Sequence, residues 1–562
     1  MKIKTKKRKY RLRPQIKLAL VLIAVFMLLI ITGIKRGKKI SFWRQSGLDA
    51  RSKQNLTINA VPVGSCTAEF DGIAYIQLDT IKEHIDPDVY YNKDEGRVII
   101  TTYDEVYRLD SDAATKNGES IELNFSVYND SGKVYLPLEV VERIYGYKSM
   151  HFEETGITAL YTSGTWAKTA KNTKLYSAAK KSRHFGRVEK DTRILIYEET
   201  DDHYLAQIAD NSDMGGFVGY IPKDKIYSSG TADTAPEAAE KEVWQPDGRI
   251  NLVFDQISNA AGASVTMSDG APTGVNVLCP TWFSFKDTGG EVINKANADY
   301  VEWAHDNGIH VWGLVTDNFE TAVSHAVLSD DKTREYAIKQ LIAYADMYSL
   351  DGINIDFEAV PKDDSAAWVQ FLRELAPLCH EHGLTLSCDL FVPKMWSMYY
   401  NRQAVGEIVD YVIVMGYDEH YRGSDSAGSV ASMDWSLSAV KDTLNAGVPK
   451  EKLILGVPFY TRIWTECTNG ELESSAYGMD EAYKLLEMNN ADFVFDEKTG
   501  QNYAEYTDSE GRHRCWLEDE QSVQKRAALV GEYDIAGIGA WKLRMEKDGI
   551  FEIIDEEINK PK

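Results

Sequence analysis

The chain has 562 residues and a formal net charge of −24 at pH 7, with 44% hydrophobic and 26% charged residues. That length is too great for one hydrophobic core, so several domains are expected, and the composition is that of ordinary globular protein. Residues 1–17 contain nine Lys or Arg and no acid, so the remainder is more acidic than the total indicates. Because nucleic-acid binding draws on basic surfaces, this balance excludes nucleic acid as a main partner.

The N-terminal segment predicts a membrane anchor. Residues 18–34 are an uncharged, mostly apolar run that directly follows the basic residues. Such a run lies at the short end of the lengths that span a bilayer as a helix, and no small-residue cleavage motif follows it, which favours an uncleaved signal anchor. Basic residues upstream of a span stay in the cytoplasm. We therefore expect a cytoplasmic tail over 1–17, a transmembrane helix over 18–34, and cell-membrane localisation with the catalytic part outside the cell.

Residues 58–163 predict a small α+β domain, in which strand-like runs alternate with short amphipathic pieces such as Leu138–Tyr145. The patterns V-Y-Y-N-x-x-x-x-R-V-I-I-T-T and V-Y-L-P-L-E-V-V resemble the copper amine oxidase N-terminal-like domain of bacterial surface proteins. The resemblance implies no copper, because His84 and His151 lie far apart in the sequence without partners at ligand spacing.

Residues 166–227 predict a small β-barrel, since three strand-like runs (192–197, 203–208 and 216–221) are separated by turns. The pattern resembles a bacterial SH3-like domain, a fold often found in cell-wall proteins. We interpret four of its aromatic residues as core residues: Tyr197, Tyr204, Phe217 and Tyr220. Residues 228–244 are small, polar and Pro-containing, and are predicted to be a linker.

Residues 245–562 alternate strand-like and helix-like runs. Eight runs are typical of strands: Ile250–Phe254, Gly274–Cys279, His310–Val315, Gly352–Phe357, Leu384–Leu390, Tyr411–Met415, Leu453–Pro458 and Gly537–Trp541. Six runs show apolar residues at helical spacing: Asn294–Asn307, Thr333–Tyr348, Ser365–His382, Trp435–Asn445, Asp480–Met488 and Gln521–Tyr533. This alternation predicts an α/β fold, a (β/α)8 TIM barrel with an α+β insertion before its last strand. Active sites of such barrels lie at the C-terminal ends of the strands.

The fourth strand carries the candidate catalytic residues. In the run 350–358 (L-D-G-I-N-I-D-F-E) alternate side chains share a face, so Asn354, Asp356 and Glu358 point one way while apolar residues point the other. Burying acids is costly unless they are paired or hydrogen-bonded, so such a row indicates a function. We interpret Glu358, at the strand end, as a general acid and Asp356 as the partner that tunes it. The alternative is that both acids only make structural hydrogen bonds and cap the loop.

Four motifs at strand ends carry a resemblance. D-G-I-N-I-D-F-E at 351–358 resembles the D-G-x-D-x-D-x-E signature of family 18 glycoside hydrolases, the chitinases and their relatives. M-G-Y-D at 415–418, P-F-Y-T-R at 458–462 and Trp541 resemble the family's M-x-Y-D, P-x-Y-x-R and terminal tryptophan. The order of the motifs extends the resemblance over residues 245–562. The variant G-I-N-I-D-F-E, with a long segment before the last strand, is most similar to the spore-cortex-lytic, peptidoglycan N-acetylglucosaminidase branch.

The resemblance implies a mechanism. Asp356 and Glu358 project side by side from one strand, so they do not flank a scissile bond as two carboxyls of an ordinary glycosidase do. Substrate assistance is implied instead: the 2-acetamido oxygen attacks the anomeric carbon while Glu358 protonates the leaving oxygen, Asp356 orients the acetamido N–H, and Tyr417 hydrogen-bonds the acetamido group. The candidate substrate-binding residues are Asn354, Met415, Asp418, Tyr460, Arg462 and Trp541, the last as a floor for the sugar ring. No metal or organic cofactor is implied.

Asn354 departs from the family motif, which has an aspartate there, next to the Asp356 position. Two close acids share a proton. Because an asparagine removes that like charge, we expect Asp356 to ionise more readily and the pH profile to change, with activity retained.

The long segment 461–533 contains five large aromatic residues: Trp464, Tyr477, Tyr503, Tyr506 and Trp516. Long insertions beside a barrel mouth often shape binding clefts, and packing within a small α+β insertion is an equally good interpretation. Cys467 and Cys515 flank this segment, and the sequence is compatible with both a disulfide and two free thiols.

The sequence therefore predicts a membrane-anchored extracellular glycosidase that cleaves β-1,4 linkages after N-acetylglucosamine. A peptidoglycan substrate is favoured by the anchor, the SH3-like pattern and the branch resemblance, and a chitin-like glycan is the alternative in the same class. A carbohydrate-binding protein without activity is an alternative of another class, although such relatives typically replace the residue at the Glu358 position. A wall-anchoring scaffold is the weakest alternative.

Overall fold

The computed structural model describes residues 48, 52, 55–123, 127–179, 184–227, 232–233 and 244–561. The predicted cytoplasmic tail and anchor, residues 1–34, lie outside the described residues. Within the described ranges no helix is long and apolar enough to cross a membrane. The chain divides into two compact units, one of residues 1–98, 108–114 and 120–239, the other of residues 99–107, 115–119 and 240–562.

Residues 55–161 form three small sheets and two short helices. One four-stranded sheet has the order Lys148–Phe152, Ile157–Tyr161, Asn55–Ile58, Val61–Ser65, and another the order Tyr128–Asp130, Lys133–Pro137, Ile73–Gln77, Thr67–Phe70. A five-stranded sheet comprises Tyr90–Asn92, Arg97–Thr101, Val106–Leu109, Ala114–Lys116 and Glu119–Ser120. The helices are Leu78–His84 and Leu138–Tyr145. The predicted mixture of short strands and amphipathic helices is what the structure contains.

Residues 164–233 form one antiparallel seven-stranded sheet. Its order is His184–Val188, Thr173–Tyr176, Val218–Pro222, His203–Ile208, Arg193–Glu199, Gly164–Lys168, Ala232–Asp233. Phe217 is fully buried, as predicted. Tyr197, Tyr204 and Tyr220 are only partly buried, and the first two line a cavity of about 270 Å³. The SH3-like identity of this module stays a prediction.

Eight parallel strands close the predicted barrel. In chain order they are Ile250–Asp255, Val277–Pro280, His310–Thr316, Gly352–Asp356, Thr385–Phe391, Tyr411–Met415, Leu453–Pro458 and Gly537–Trp541, called barrel strands 1 to 8 below. Each pairs with its neighbours, strand 8 pairs with strand 1, and the pairing of Val277 with His310 joins strands 2 and 3. A short hairpin, Phe283–Phe285 with Val292–Asn294, extends from strand 3. The eight predicted apolar runs form these strands, with small shifts at their ends. The prediction of a (β/α)8 barrel is confirmed.

Helices follow the barrel strands. The structure has the six predicted ones with boundaries shifted by a few residues: Ala298–Asp306, Asp331–Tyr348, Ser365–Glu381, Met433–Asn445, Met479–Met488 and Glu520–Tyr533. Four helices of ten residues or fewer were not predicted: Ala260–Asp269, Thr321–Ser329, Arg402–Ile408 and Ile550–Ile558. The last of them has its buried apolar residues at helical spacing (Ile550, Phe551, Ile554 and Ile558), a signal that the sequence analysis missed. Single 3-10 turns lie at Lys223–Lys225, Lys362–Asp364, Met398–Tyr400 and Lys450–Lys452.

The segment before barrel strand 8 is an α+β insertion, as expected. Its five-stranded antiparallel sheet has the order Leu472–Gly478, Tyr460–Cys467, Gly511–Trp516, Gln501–Thr507, Asp492–Asp496. Cys515 lies opposite Ile463, whereas Cys467 lies opposite Gly511, four residues further along the same strand pair. That register separates the two cysteines by about 13 Å of strand, well beyond disulfide reach. Both thiols are free.

Candidate active site

The two faces of barrel strand 4 divide as the alternation predicts. Ile353, Ile355 and Phe357 are 1% exposed or less. The Phe357 ring lies 5.3 Å from that of Phe371, on the helix that follows the strand, and the Tyr400 hydroxyl donates to the Phe357 carbonyl at 3.1 Å. This apolar packing fixes the end of the strand, so that the alternate residues, Asn354 and Asp356, point into the barrel interior.

Asn354 and Asp356 occupy the interior face and are buried. Asn354 Nδ2 donates to Ser387 Oγ at 3.0 Å and to Asp389 Oδ1 at 3.1 Å, both on barrel strand 5. Two acceptors in the same region, Asn354 Oδ1 and Asp356 Oδ1, are buried without a protein hydrogen-bond partner. An unpaired buried acceptor is costly, so these oxygens mark a place where a donor would be stabilised.

Glu358 comes two residues after the strand and is partly buried. Burial is the main cause that raises the pKa of its carboxyl to about 8, and the charges of Asp356, Asp317 and Asp418 add to it. A carboxyl with this pKa is protonated at neutral pH, which is the state that a general acid requires.

Asp317, which follows barrel strand 3, fixes the chain next to Glu358. It is fully buried, and its Oδ2 accepts from the Ala359 backbone N–H at 2.8 Å and from Ser324 Oγ at 2.6 Å. The same residue also accepts from the Glu358 backbone N–H at 3.4 Å. The sequence analysis did not identify Asp317, because only the neighbouring position of strands 3 and 4 brings it to this turn.

Asp389 is the second acid that the sequence analysis missed, and it reverses one expectation. Burial and then the charges of Asp389 and Asp317 raise the pKa of Asp356 well above its usual value. Burial likewise raises the pKa of Asp389, although the hydrogen bond from Asn354 opposes the rise. The expectation that Asn354 makes Asp356 ionise more readily is therefore wrong, because a carboxyl from strand 5 supplies the like charge that position 354 lacks.

A cavity of about 490 Å³ opens beside Glu358 at the C-terminal ends of the barrel strands. Its lining consists of Glu358, Phe391, Val392, Lys394, Trp396, Met415, Tyr417, Asp418, Glu419, Tyr421 and Trp435. The structure thus brings together four of the predicted site residues, Glu358, Met415, Tyr417 and Asp418. The volume is that of a typical small-molecule site.

The motif residues after barrel strands 6 and 7 are connected. The Tyr460 hydroxyl donates to Asp418 Oδ1 at 2.5 Å, and the rings of Tyr417 and Tyr460 lie 6.4 Å apart with their edges facing. Burial raises the pKa of both hydroxyls well above the ordinary tyrosine value, helped by Asp389 at Tyr417 and by Asp418 at Tyr460. Both tyrosines therefore remain hydrogen-bond donors across the physiological range.

Five predicted site residues lie outside the cavity lining: Asn354, Asp356, Tyr460, Arg462 and Trp541. Arg462 is part of the insertion sheet, where its Nη1 donates to Ser474 Oγ at 3.2 Å. Trp541 ends barrel strand 8 and packs half-buried on the barrel core, with its ring 5.5 Å from that of Phe254. Their roles as substrate contacts stay predictions.

The exposed aromatics at the cavity come from loops that follow barrel strands 5 and 6. Trp396 is 59% exposed and Tyr421 55% exposed, and both line the cavity. Lys394 is the cation of the lining, and its Nζ lies 4.6 Å from the centre of the Trp435 ring. By contrast, Trp464 of the insertion is buried and donates from Nε1 to the Gly428 carbonyl at 2.8 Å. Its predicted alternative role in packing is the one observed.

Comparisons with known proteins agree with this geometry. Residues 304–546 match glycosyl hydrolases family 18, and residues 54–158 match the copper amine oxidase N-terminal domain. The chain is 28% identical over 298 residues to an uncharacterized glycosylase, YvbX, of Bacillus subtilis (strain 168), covering 50% of this chain and 84% of that one. It is 28% identical over 261 residues to the cortical fragment-lytic enzyme of the same organism, covering 44% of this chain and 59% of that one, so less than two thirds of that relative is matched.

Two solved structures show the same fold at lower sequence identity. A chitinase from Chromobacterium violaceum matches with a TM-score of 0.50 and 22% identity, over 56% of this chain and all of that one. The spore cortex-lytic enzyme SleL of Bacillus cereus matches with a TM-score of 0.50 and 21% identity, over 60% of this chain and 80% of that one.

Proposed function

Because the barrel of this chain is a family 18 glycosyl hydrolase domain, and the protein therefore a glycosidase, we propose that it cleaves β-1,4 linkages after N-acetylglucosamine in peptidoglycan. The observation that carries this proposal is the placement of Glu358, a carboxyl with a pKa of about 8, in the lining of a cavity of about 490 Å³. The buried Asp356, the last residue of barrel strand 4, lies two residues before it.

Glu358 is the general acid in this proposal. Its proton goes to the glycosidic oxygen as the bond to the anomeric carbon breaks, and the acetamido oxygen of the same sugar forms the new bond to that carbon. Water then opens the resulting oxazolinium ring, while Glu358 takes a proton from that water and is restored. No protein nucleophile is required, which fits two acids that project from one strand.

Asp356 and Tyr417 hold the acetamido group. The unpaired Oδ1 of Asp356 accepts the acetamido N–H, and this bond places the acetamido oxygen under the anomeric carbon. The Tyr417 hydroxyl, whose raised pKa keeps it protonated, donates to the acetamido oxygen. Tyr460 acts through its hydrogen bond to Asp418, which fixes one wall of the pocket.

Peptidoglycan is favoured over chitin by the similarity to a cortical fragment-lytic enzyme and by Lys394, the one cation, among the described residues, of a lining that also holds Glu358, Asp418 and Glu419. Muramic acid residues carry a lactyl carboxyl, free or extended by an acidic peptide, whereas chitin is neutral. Lys394 places an ammonium in the cavity lining, above the Trp435 ring. Trp396 and Tyr421 offer exposed ring faces on which sugars stack.

The proposal includes anchoring in the cell membrane through residues 18–34, with the barrel outside the cell. The apolar run after nine basic residues supports it. An anchored enzyme of this kind would act on wall glycan close to the membrane surface.

The test compares the full chain with the Glu358→Gln variant on purified peptidoglycan and, separately, on chitooligosaccharides, with products identified by mass spectrometry. We expect the parent alone to release fragments that end in N-acetylglucosamine at the reducing end, and to prefer peptidoglycan. If neither protein cuts but both bind the glycan, a binding protein of the same fold replaces the proposal. If the parent prefers chitooligosaccharides, the glycosidase proposal stands and only the proposed substrate changes.

A further inference from the structure

Asp389 and Asp356 are placed side by side by the register of barrel strands 4 and 5. Asn354 pairs with Ser387 and Ile355 with Cys388, so Asp356 and Asp389 each lie one residue beyond the last pair. Neighbouring strands are about 4.8 Å apart, and side chains two residues along a strand share a face. Since Asn354 and Ser387 meet in the interior, Asp356 and Asp389 face the interior beside each other.

Asn354 ties the two strands together at this point. Its single amide nitrogen donates to Ser387 Oγ and to Asp389 Oδ1. The carboxyl that the family motif has at position 354 is therefore replaced by a donor, and this donor holds a carboxyl that comes from strand 5 instead. Asp389 is 4% exposed and Asp356 8% exposed, so neither carboxyl is fully solvated.

The charges around the pair are almost all negative or neutral. Among the described residues, Glu358 and Asp317 act on Asp356 and Asp389, and the pair in turn acts on Cys279 and Tyr417. The cation Arg402 acts on Cys388, which points to the opposite face of strand 5. Two buried carboxyls at neighbouring positions without a facing cation do not both ionise at neutral pH. One proton is therefore retained between them.

We propose that Asp389 is a positioning residue that shares one proton with Asp356, and that it supplies from barrel strand 5 the carboxyl that the family motif supplies from position 354. The inference rests on the proposed function in one respect, since the consequence for turnover requires that Asp356 holds the substrate's acetamido group. The shared proton itself is a property of the protein without substrate.

The proton has a defined place at each stage. In the free enzyme the pair holds one proton and one negative charge. When the acetamido N–H donates to Asp356, that carboxyl is ionised and the shared proton lies on Asp389. Asp356 then stands as an anion beside the positive charge that develops on the oxazolinium ring, and the total charge of the pair is unchanged.

The test uses Asp389→Asn, which keeps the size of the side chain and an oxygen that accepts from Asn354. In this variant Asp356 keeps the single negative charge of the pair, but no shared proton remains to be lost at higher pH. We expect kcat to fall about tenfold with KM changed by less than about threefold. The parent loses turnover when either the shared proton or the Glu358 proton is lost, whereas the variant has only the Glu358 proton to lose. Its alkaline limb should therefore move to higher pH by about one unit, equivalent to a tenfold change in proton affinity.

The exchange variant Asn354→Asp/Asp389→Asn returns the acid to strand 4 and keeps one amide and one carboxyl in the network. We expect it to restore the alkaline limb to within a few tenths of a pH unit of the parent, by restoring the pair. Ser387→Ala is the matched control, because it removes a hydrogen bond from the same asparagine without changing any charge. This control should leave the alkaline limb in place even if kcat falls.

A second readout requires no substrate. A carboxyl whose pKa is raised on folding binds a proton in the native state that the unfolded chain has lost, so stability decreases as pH rises between the unfolded pKa near 4 and the raised native pKa. The urea midpoint of the parent should therefore fall from pH 5 to pH 8 more than that of Asp389→Asn, with the exchange variant again like the parent.

The outcomes separate the two proposals. If the parent cuts no glycan but Asp389→Asn flattens the pH dependence of unfolding, the proposed function fails and the shared proton stands. If Asp389→Asn lowers kcat equally at every pH, and the pH dependence of unfolding is the same in both proteins, Asp389 has only a structural role and the inference is overturned.

Discussion

At the residue scale, the raised pKa of Glu358 suits it to the proposed role of general acid and also destabilises the native state at alkaline pH. We expect Glu358→Gln to lower kcat by about 10²- to 10⁴-fold, the usual contribution of a general acid. The parent should lose activity as pH rises through about 8, when this carboxyl ionises. Measuring kcat on a soluble substrate from pH 5 to pH 10 tests both expectations. A parent whose kcat does not fall up to pH 10 would contradict the role of Glu358 as general acid.

The same substitution should make the fold less sensitive to alkaline pH. Folding raises the pKa of Glu358 above its ordinary value, so the native state loses stability as pH rises between the ordinary value and about 8. Glutamine has no proton to lose. Thermal unfolding should therefore show Glu358→Gln gaining relative to the parent between pH 5 and pH 8, and a constant difference would argue against a buried, protonated Glu358.

A substitution of Lys394 tests whether its ammonium contributes to the preference for an anionic glycan. Lys394→Met keeps the length and the apolar stem of the side chain but removes the ammonium. We expect KM for soluble muropeptide oligomers to rise about fivefold, corresponding to an exposed ion pair of ~1 kcal/mol. KM for chitooligosaccharides, which carry no carboxyl, serves as the internal control. An equal change for both substrates would show that Lys394 contributes shape and not charge.

At the element scale, the turn after barrel strand 4 is held by the loop after strand 3. Asp317 accepts the Ala359 backbone N–H and the Ser324 hydroxyl from a fully buried position. Asp317→Asn removes a charge and leaves a donor where an acceptor is needed, which we expect to destabilise the fold by about 1–3 kcal/mol. Because a like charge is lost beside Glu358, the alkaline limb should also move to lower pH. Ser324→Ala, measured by the same denaturation and rate experiments, removes one hydrogen bond without changing charge and should not move that limb.

A buried ion pair joins the insertion to the barrel. Arg526, on the helix Glu520–Tyr533, pairs with Glu518, and its Nε donates to Ser436 Oγ at 3.1 Å. Glu518 also accepts from Gln501 of the insertion sheet at 2.7 Å. Arg526→Met should cost about 3–5 kcal/mol, because it leaves the Glu518 charge buried and unpaired. Arg526→Met/Glu518→Leu should recover much of that loss in urea unfolding, and a double variant no more stable than Arg526→Met would contradict this account.

At the scale of the whole molecule, the distribution of charge supports an enzyme that faces away from the cytoplasm. Nine basic residues precede the apolar run 18–34, and the rest of the chain is acidic. We expect the full chain to sediment with membranes, and a chain that starts after residue 40 to remain in the supernatant with the same kcat on soluble substrate. Protease added outside intact spheroplasts should digest the barrel domain. If the barrel domain is digested only after lysis, it lies inside the cell and the proposed orientation is wrong.

Some site residues and strands could be predicted from the sequence, and others could not. Asp356 and Glu358 were identifiable because a strand's alternation and a motif of eight residues are local properties of the chain. Barrel strands 6, 7 and 8 begin and end at the predicted residues, since buried parallel strands are continuous apolar runs. Asp389 carried a weaker signal: Ser387 and Asp389 are alternate polar residues in an otherwise apolar run. Its meaning is clear only from the pairing of strands 4 and 5, which brings Asp389 next to Asp356.

The sequence by itself determined the barrel, the family 18 domain and the position of the two acids proposed for catalysis, because each depends on the spacing of apolar residues or on a motif of neighbouring residues. Tertiary structure alone decided that Asp389 and Asp317 are the charges that act on Asp356, that Cys467 and Cys515 do not pair, and that Trp396 and Tyr421 rather than Trp464 line the cavity. The physical reason is that pKa values, disulfides and clefts depend on distances between strands and loops that are remote in sequence, and only strand register and loop packing set those distances.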